Sequence, residues 1–344
     1  MEKNLCSNME DMVREVSCGT MLHVLHPMGQ ESLQKHSTPL ADSPKARLKI
    51  EEYALYPGLH ISFHYYQAPG FYFHHHHPES LMSINHCCQG RIGWNMENGL
   101  SLYLGQGDLS LHFKDNCGES QVTLPLGFYQ GISVSVDLNI LKKNPPELLK
   151  EAGLDTEMLR QKFCSTEKIA AFPASPRIEH IFSQLYDLPE HMKVPYMKLK
   201  CQELLLFLSM ISPEETRPLD KYYSGQVEII KEVHRLLTEN LEKRYTIQQL
   251  SRKYHINTSA LKNIFKSVYG LPLASYMKEY RIRQGARLLL ETSESISRIA
   301  ALVGYESQSK FTTAFKSIMG VLPTDYRKQY LQSETLLQST KHKV

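Results

Sequence analysis

Several features are scarce in this chain of 344 residues. No apolar run approaches the about 20 residues needed to cross a bilayer. The longest, from Leu204 to Leu208, stops at Ser209. The opening residues Met1, Glu2, Lys3 and Asn4 carry no apolar signal core, so neither a span nor a secretory leader is expected. The seven cysteines show no regular spacing, and only Cys87 and Cys88 adjoin, which suits a reducing, cytoplasmic setting. No glycine-rich phosphate loop or nucleophile elbow appears. Tryptophan occurs once, at Trp94.

What is present is the composition of an ordinary globular protein, with 42% apolar and 22% charged residues. The length suggests two domains. The net charge of +3 hides a division: residues 1–224 carry a net −6, whereas residues 225–330 hold 17 basic against nine acidic side chains, a net +8. A basic back third behind a mildly acidic front is the electrostatic footprint of a polyanion partner, although a short helical segment can also be basic by chance.

Residues 1–48 read as loosely organised, with Pro27, Pro39 and Pro44 and room for a short helix near 9–16. Residues 49–140 read as strands separated by turns. Strand-like runs lie at 59–66, 81–88, 91–96, 100–104, 109–113 and 132–136, and Asn98 with Gly99 is a hairpin signal. Many short strands at close spacing point to a small barrel or sandwich. Helical periodicity follows: Ile178, Ile181, Phe182 and Leu185 repeat at i, i+3, i+4 and i+7, and a second apolar helix covers about 196–211. Pro213 and Pro218 bracket a linker, and residues 225–330 read as helical throughout.

An internal repeat carries the functional argument. Phe265 and Lys266 recur as Phe315 and Lys316, Gly270 as Gly320, and Tyr276 as Tyr326, each 50 residues later. Upstream, Ile247 matches Ile296 and Leu250 matches Ile299 at a spacing of 49, so the second copy's turn holds one extra residue. Each copy reads as helix, tight turn, helix. In the first, Thr246 and Gln249 have capping-box spacing, the turn lies at 255–257, and Asn257 or Thr258 opens a helix burying Leu261, Ile264, Phe265 and Val268. In the second, Gly304 makes the turn and Ser307 opens a helix burying Phe311, Ala314, Phe315 and Ile318. This is a helix-turn-helix layout, whose second helix enters the major groove. A long helix over about 273–291 would hold the two copies at a fixed separation.

On these residues the chain resembles the AraC/XylS family of bacterial regulators. Residues 246–327 carry the likeness, above all the stretch from Ile296 to Tyr305, then Phe311 to Lys316, Gly320, Pro323, Tyr326 and Arg327. His255 departs from the glycine often found at the first turn, a place where histidine tolerates a left-handed conformation better than most residues. Pro272 stands one place earlier than Pro323.

Helical spacing selects the outward faces. Base readout is expected from Ser259, Lys262 and Asn263 in the first recognition helix, and from Gln308, Ser309, Thr312 and Thr313 in the second. Lys suits guanine acceptors, Asn and Gln suit adenine, and Thr suits a thymine methyl or a phosphate. Phosphate contacts are expected from Lys266, Arg281, Lys310, Lys316 and Arg327, with Lys328 beside them. Several of these side chains can equally meet solvent alone.

The resemblance implies a sensing or dimerising domain ahead of the DNA-binding one, often a cupin-like β-barrel. The fold class expected is therefore α+β: a cupin-like small β-barrel, a helical linker and dimerisation segment, and an all-α domain with two helix-turn-helix units. The boundaries are 1–48, a loose N-terminal segment; 49–172, the sensing domain; 173–220, the helical segment; 221–331, the DNA-binding domain; and 332–344, a flexible tail. The stretches 94–99 and 103–109 are similar in style to the siderophore-responsive branch, which makes a ferric siderophore a candidate effector. Double-stranded DNA and, from the family, RNA polymerase are the expected partners. Two stripes on the 196–211 helix suit a homodimer or packing on the barrel.

His74, His75, His76 and His77 invite a metal reading: His74 and His76 share one strand face and His75 and His77 the other, and either pair could supply two imidazoles with Glu79 or His86 as a third ligand. The spacing departs from the cupin motif, and no metal or cofactor is expected. A cupin-type metalloenzyme with an appended DNA-binding domain is the alternative that this run motivates. A repair or architectural protein is a third, disfavoured by paired specific readers. The reading adopted is a non-enzymatic, ligand-responsive transcription activator.

Overall fold

The computed structural model describes residues 14–16, 20–25, 35–37, 46–76, 80–95, 99–113, 120–164, 170–212, 217–218 and 220–329. The chain divides into two compact units, Met1–Ser224 and Gly225–Val344.

The strands of the first unit are, in chain order, β1 (Arg14–Val16), β2 (Thr20–Leu25), β3 (Lys35–Ser37), β4 (Ala46–Tyr56), β5 (Leu59–Gln67), β6 (Gly70–His76), β7 (Leu81–Gly90) and β8 (Ile92–Asn95). They continue with β9 (Leu100–Leu104), β10 (Leu109–Phe113), β11 (Ser120–Thr123), β12 (Phe128–Asp137), β13 (Ala170–Phe172), β14 (Arg217–Pro218) and β15 (Tyr222–Tyr223). One sheet runs β1-β4-β5-β12-β7-β10-β13-β14 and the other β15-β9-β8-β11-β6-β2-β3. Neither order returns to its starting strand, so among the described residues the expected small barrel is a pair of open sheets.

Period-two alternation explains how the larger sheet is covered. Leu59, Ile61 and Phe63 of β5, Met82 and Ile84 of β7, Leu109 and Leu111 of β10, and Ile132, Val134 and Val136 of β12 share one face and one core. Helices cover it: α1 (Leu138–Lys143), α2 (Glu147–Glu151), α3 (Thr156–Cys164), α4 (Pro176–Phe182) and α5 (Lys193–Met210). The opposite face meets the smaller sheet, where Leu48, Tyr66, Cys87 and Tyr129 pack with Phe71, Ile92, Leu104 and Val122, and with Trp94 alongside. Sheet closure is unnecessary because both faces of the larger sheet are covered.

That second face changes character along the strands. Ser62, Ser133, Asn85 and Ser110 are register neighbours across β5, β12, β7 and β10, and His60, Ser135, Ser83 and His112 form the next row. Ser133 Oγ donates to Asn85 Oδ1 at 2.5 Å, Asn85 Nδ2 lies 3.2 Å from His112 Nδ1, and Ser62 Oγ lies 2.9 Å from His64 Nε2. Followed outward, the first row continues to Glu52 on β4 and, through Ala171 on β13, to Arg217 on β14.

The segment expected to be loose contains β1, β2, β3 and the start of β4, and residues 14–16 are strand rather than helix. β8 and β9 pair antiparallel and Gly99, just before β9, has φ +75°, whereas Asn98 of the expected hairpin lies outside the described residues. Of the two stripes on α5, Leu204, Leu208 and Ile211 enter the sheet-facing core, whereas Leu199 is 51% and Met210 78% exposed. Linker residues pair with both sheets: β14 with β13 and β15 with β9.

The second unit is helical: α6 (Ser224–Glu239), α7 (Ile247–Lys253), α8 (Thr258–Tyr269), α9 (Leu273–Glu291), α10 (Ile296–Leu302) and α11 (Gln308–Met319). Thr246 and Gln249 form the capping box of α7. Asn257 caps α8 and Ser307 caps α11. Gly270 and Gly320 end these two helices in the left-handed region, as helix stops favour. His255, at φ +51°, is the one non-glycine positive φ among the described residues. The second copy's core gathers Ile282, Leu289, Ile299, Val303, Phe311 and Phe315.

One buried and one half-buried imidazole give stability a pH dependence. His86 stacks on Phe182 at 4.2 Å inside the helix-covered core, and burial lowers its pKa from 6.5 to about 4. His234 stacks on Tyr269 at 4.3 Å, lies 2.9 Å from the Tyr276 hydroxyl, and burial lowers its pKa likewise to about 4. Both folded values lie below the unfolded one. Their contribution is therefore full above pH about 6.5 and is lost as pH falls toward about 4, where the unfolded chain binds more protons. Melting scans between pH 7.5 and 4.5 should show this decline. The decline should be shallower in His86→Phe, and an identical profile in that variant would show that His86 carries none of it.

Candidate nucleic-acid interface

Each recognition helix presents an exposed face opposite its core. In α8 the core residues Leu261, Ile264, Phe265 and Val268 are buried, and Ser259, Lys262, Asn263 and Lys266 are exposed. In α11 Phe311, Ala314 and Phe315 are buried, Gln308, Ser309, Thr313 and Lys316 are exposed, and Thr312 is half-buried. Phe265 and Phe315 are packed side chains, not stacking platforms for bases.

The turns are held by backbone geometry and by arginines. Gly304 has φ +79°, and a Cβ there would lie 2.1 Å from the Leu241 carbonyl oxygen. Arg244 donates from Nε and Nη2 to the Gly304 carbonyl at 3.1 and 3.0 Å. Arg281 donates from Nε to Leu241 O at 3.3 Å and from Nη2 to Lys243 O at 3.1 Å. Burial, followed by the Arg244 charge, lowers its pKa. Arg327 donates from Nε to Leu289 O at 3.0 Å and from Nη2 to Thr292 O and Glu294 O at 3.3 and 2.7 Å. Arg281 and Arg327, expected at phosphates, each donate from two guanidinium nitrogens to main-chain carbonyls. Spacing could not reveal this, because the carbonyls they cap lie 33 to 40 residues away in sequence.

Lys310 pairs with Glu306 one turn earlier, and that hydrogen bond and charge hold the Glu306 carboxyl below its usual range. Exposed Arg252 and Lys253 on α7 and Arg298 on α10 add cations on the first helix of each copy, the helix that crosses the DNA backbone in this motif. Sequence reading passed over these three, although charge on an amphipathic face was the available signal.

Of the metal candidates, the side chains of His74, His76 and Glu79 lie outside the described residues. His86 faces the helix-covered core against Phe182. Cys87 is buried and Cys88 half-buried; burial pushes the Cys88 thiol up to about 11 and the Cys87 thiol higher, so both are thiols at neutral pH. Among the described residues no helix is long and apolar enough to cross a membrane.

Two recognition helices on one all-helical unit, each with a polar exposed face, define a DNA-binding transcription regulator. A family model described as a helix-turn-helix domain matches residues 250–329. The thermoregulatory protein LcrF of Yersinia pestis is 26% identical over 253 residues, covering 70% of this chain and 86% of LcrF. The transcriptional regulator ExsA of Pseudomonas aeruginosa is 29% identical over 166 residues, covering 46% of this chain and 57% of ExsA. The activator RhaR of Mannheimia succiniciproducens matches over 41% of its own length. Among solved structures, the DNA-binding domain of AdpA in complex with a target DNA aligns with 29% of this chain and 91% of that one, at 23% identity and a TM-score of 0.29. ToxT of Vibrio cholerae aligns with 82% of this chain and 97% of that one, at 16% identity and a TM-score of 0.28. Residues 250–329 carry the helix-turn-helix domain that the chain shares with these transcription regulators. The relatives named here are regulators rather than enzymes, and the metalloenzyme alternative finds no support among them.

Proposed function

We propose that α8 and α11 enter successive major-groove segments of one duplex, with Ser259, Lys262, Asn263, Gln308, Ser309, Thr312 and Thr313 at base edges. The observation that carries this is the repeat itself: two helices of equal length, capped alike at both ends, each exposing a polar face. Lys266, Lys310 and Lys316 serve phosphates and supply salt-dependent affinity. Arg281 and Arg327 act through the carbonyls they hold, fixing the helix ends beside the backbone.

The chain acts as an activator that engages RNA polymerase once bound, as the activators among its relatives suggest. A homodimer through the exposed Leu199 and Met210 stripe of α5 would double the half-sites and raise specificity by avidity. The cupin-like reading of the double-sheet unit makes it the sensor, in which a small molecule shifts the affinity of the DNA-binding unit. The polar rows around Ser133 and His112 favour a hydrogen-bonding effector, for which a ferric siderophore is the candidate.

Selection of bound sequences from random duplex DNA, with the full chain and with or without a panel of ferric siderophores, tests this reading. Two short blocks about one helical turn apart are expected. A set of bound sequences without any shared motif, with or without the panel, would overturn it.

A further inference from the structure

The two recognition helices are framed alike and differ at their centres. Both run for 12 residues. Asn257 Oδ1 accepts from Ala260 N at 2.7 Å, and Ser307 Oγ accepts from Lys310 N at 3.3 Å. At the other end Gly270 N donates to Lys266 O at 2.8 Å and Gly320 N to Lys316 O at 3.0 Å. The 50-residue register superposes Ser259 on Ser309, Phe265 on Phe315 and Lys266 on Lys316. Between these shared flanks, Lys262 and Asn263 occupy the two places held by Thr312 and Thr313 in the second copy. Ala260 corresponds to Lys310, which pairs with Glu306 and is assigned above to a phosphate, not to a base edge.

Those central places carry different chemistry. A lysine ammonium seeks the O6 and N7 acceptors of guanine, and an asparagine amide makes two bonds to adenine. A threonine offers one hydroxyl and one methyl group, and the methyl group meets the C5-methyl of thymine. Lysine also displaces a counterion, which threonine does not.

We propose that the operator is chemically asymmetric: the box under α8 is read at guanine and adenine acceptors by Lys262 and Asn263, and the box under α11 at thymine methyl groups by Thr312 and Thr313. The inference rests on α8 and α11 being the recognition helices. Two unlike boxes give the bound protein one direction on the duplex, and the contrast lies at these two central places, apart from Gln308 and Ser309.

Two measurements on the full chain test this. The first replaces thymine by deoxyuridine, which lacks the C5-methyl, in one box of the selected operator at a time. Affinity should fall for the α11 box and hold for the α8 box, and equal effects in both boxes would overturn the asymmetry. The second grafts readers in both directions, as Thr312→Lys with Thr313→Asn and as Lys262→Thr with Asn263→Thr. Each graft should convert the box under its helix toward the sequence of the other, with about tenfold loss on the original operator. The reciprocal pair keeps the test open if half-buried Thr312 tolerates lysine poorly. Grafted protein that melts like the parent yet selects unchanged boxes would refute the assignment of these four residues. A parent protein that selects no two-box motif removes the recognition-helix reading itself, and the asymmetry with it, which distinguishes that failure from the others.

Discussion

Gly304→Val should abolish specific binding through the second helix-turn-helix and lower the melting temperature of the chain. Two costs combine. The backbone at φ +79° penalises any L side chain by about 1–2 kcal/mol, and more for a β-branched one. The added Cβ would also sit 2.1 Å from the Leu241 carbonyl oxygen, which is backbone and cannot rotate away. Overpacking of this kind costs about 1–3 kcal/mol. A total of about 2–5 kcal/mol corresponds to at least about 8 °C for a domain of this size. The same displacement pushes Gly304 away from Arg244, whose two bonds to its carbonyl tie the turn to the segment after α6. Gly320→Ala is the control. It has a similar φ of +77° but open space where the Cβ would go, so its loss should stay near about 1 kcal/mol. Calorimetry on both variants decides the matter, and equal melting temperatures for Gly304→Val and the parent would show that the turn has been misread.

Lys262→Ala combined with Asn263→Ala should weaken specific binding by about 1–3 kcal/mol for each base-edge interaction removed, and leave the fold intact. Both side chains are exposed on α8, while the residues that hold the helix, Leu261, Ile264 and Phe265, are untouched. Binding titrations against the selected operator and against random duplex separate two outcomes. A weakening confined to the operator identifies base readers. An equal weakening on both, with the salt slope reduced by about one unit, identifies Lys262 as a phosphate ligand and would take Asn263 off the base edges.

The DNA-binding unit was legible in the sequence to a degree the first unit was not, and the reason lies in the range of the interactions. The helix expected over about 273–291 is observed as Leu273–Glu291, and the caps at Thr246, Asn257 and Ser307 form as their spacing implies. Helices and caps are settled by residues within one turn of each other. Strand pairing is not. β12 pairs with β5 about 70 residues earlier, and nothing local records that partnership. β4 escaped notice because the stretch from Arg47 to Glu52 mixes charges with Leu48 and Ile50, and the histidine run of β6 was read for metal chemistry, not for its strand partners. Arg281 and Arg327 illustrate the same limit at the site: a basic side chain on a basic domain reads as a phosphate ligand until the carbonyls around it are located.

Trp94 has a practical consequence. It is the chain's one tryptophan, it lies on β8, and it packs against the core between the two sheets. Its emission under long-wavelength excitation therefore reports the double-sheet unit alone, while the DNA-binding unit, rich in tyrosine, is optically silent there. Without any label, the protein carries a built-in optical channel that can watch a small molecule enter one unit while a fluorescent duplex watches the other. Events in the double-sheet unit and in the DNA-binding unit can be timed separately in one cuvette.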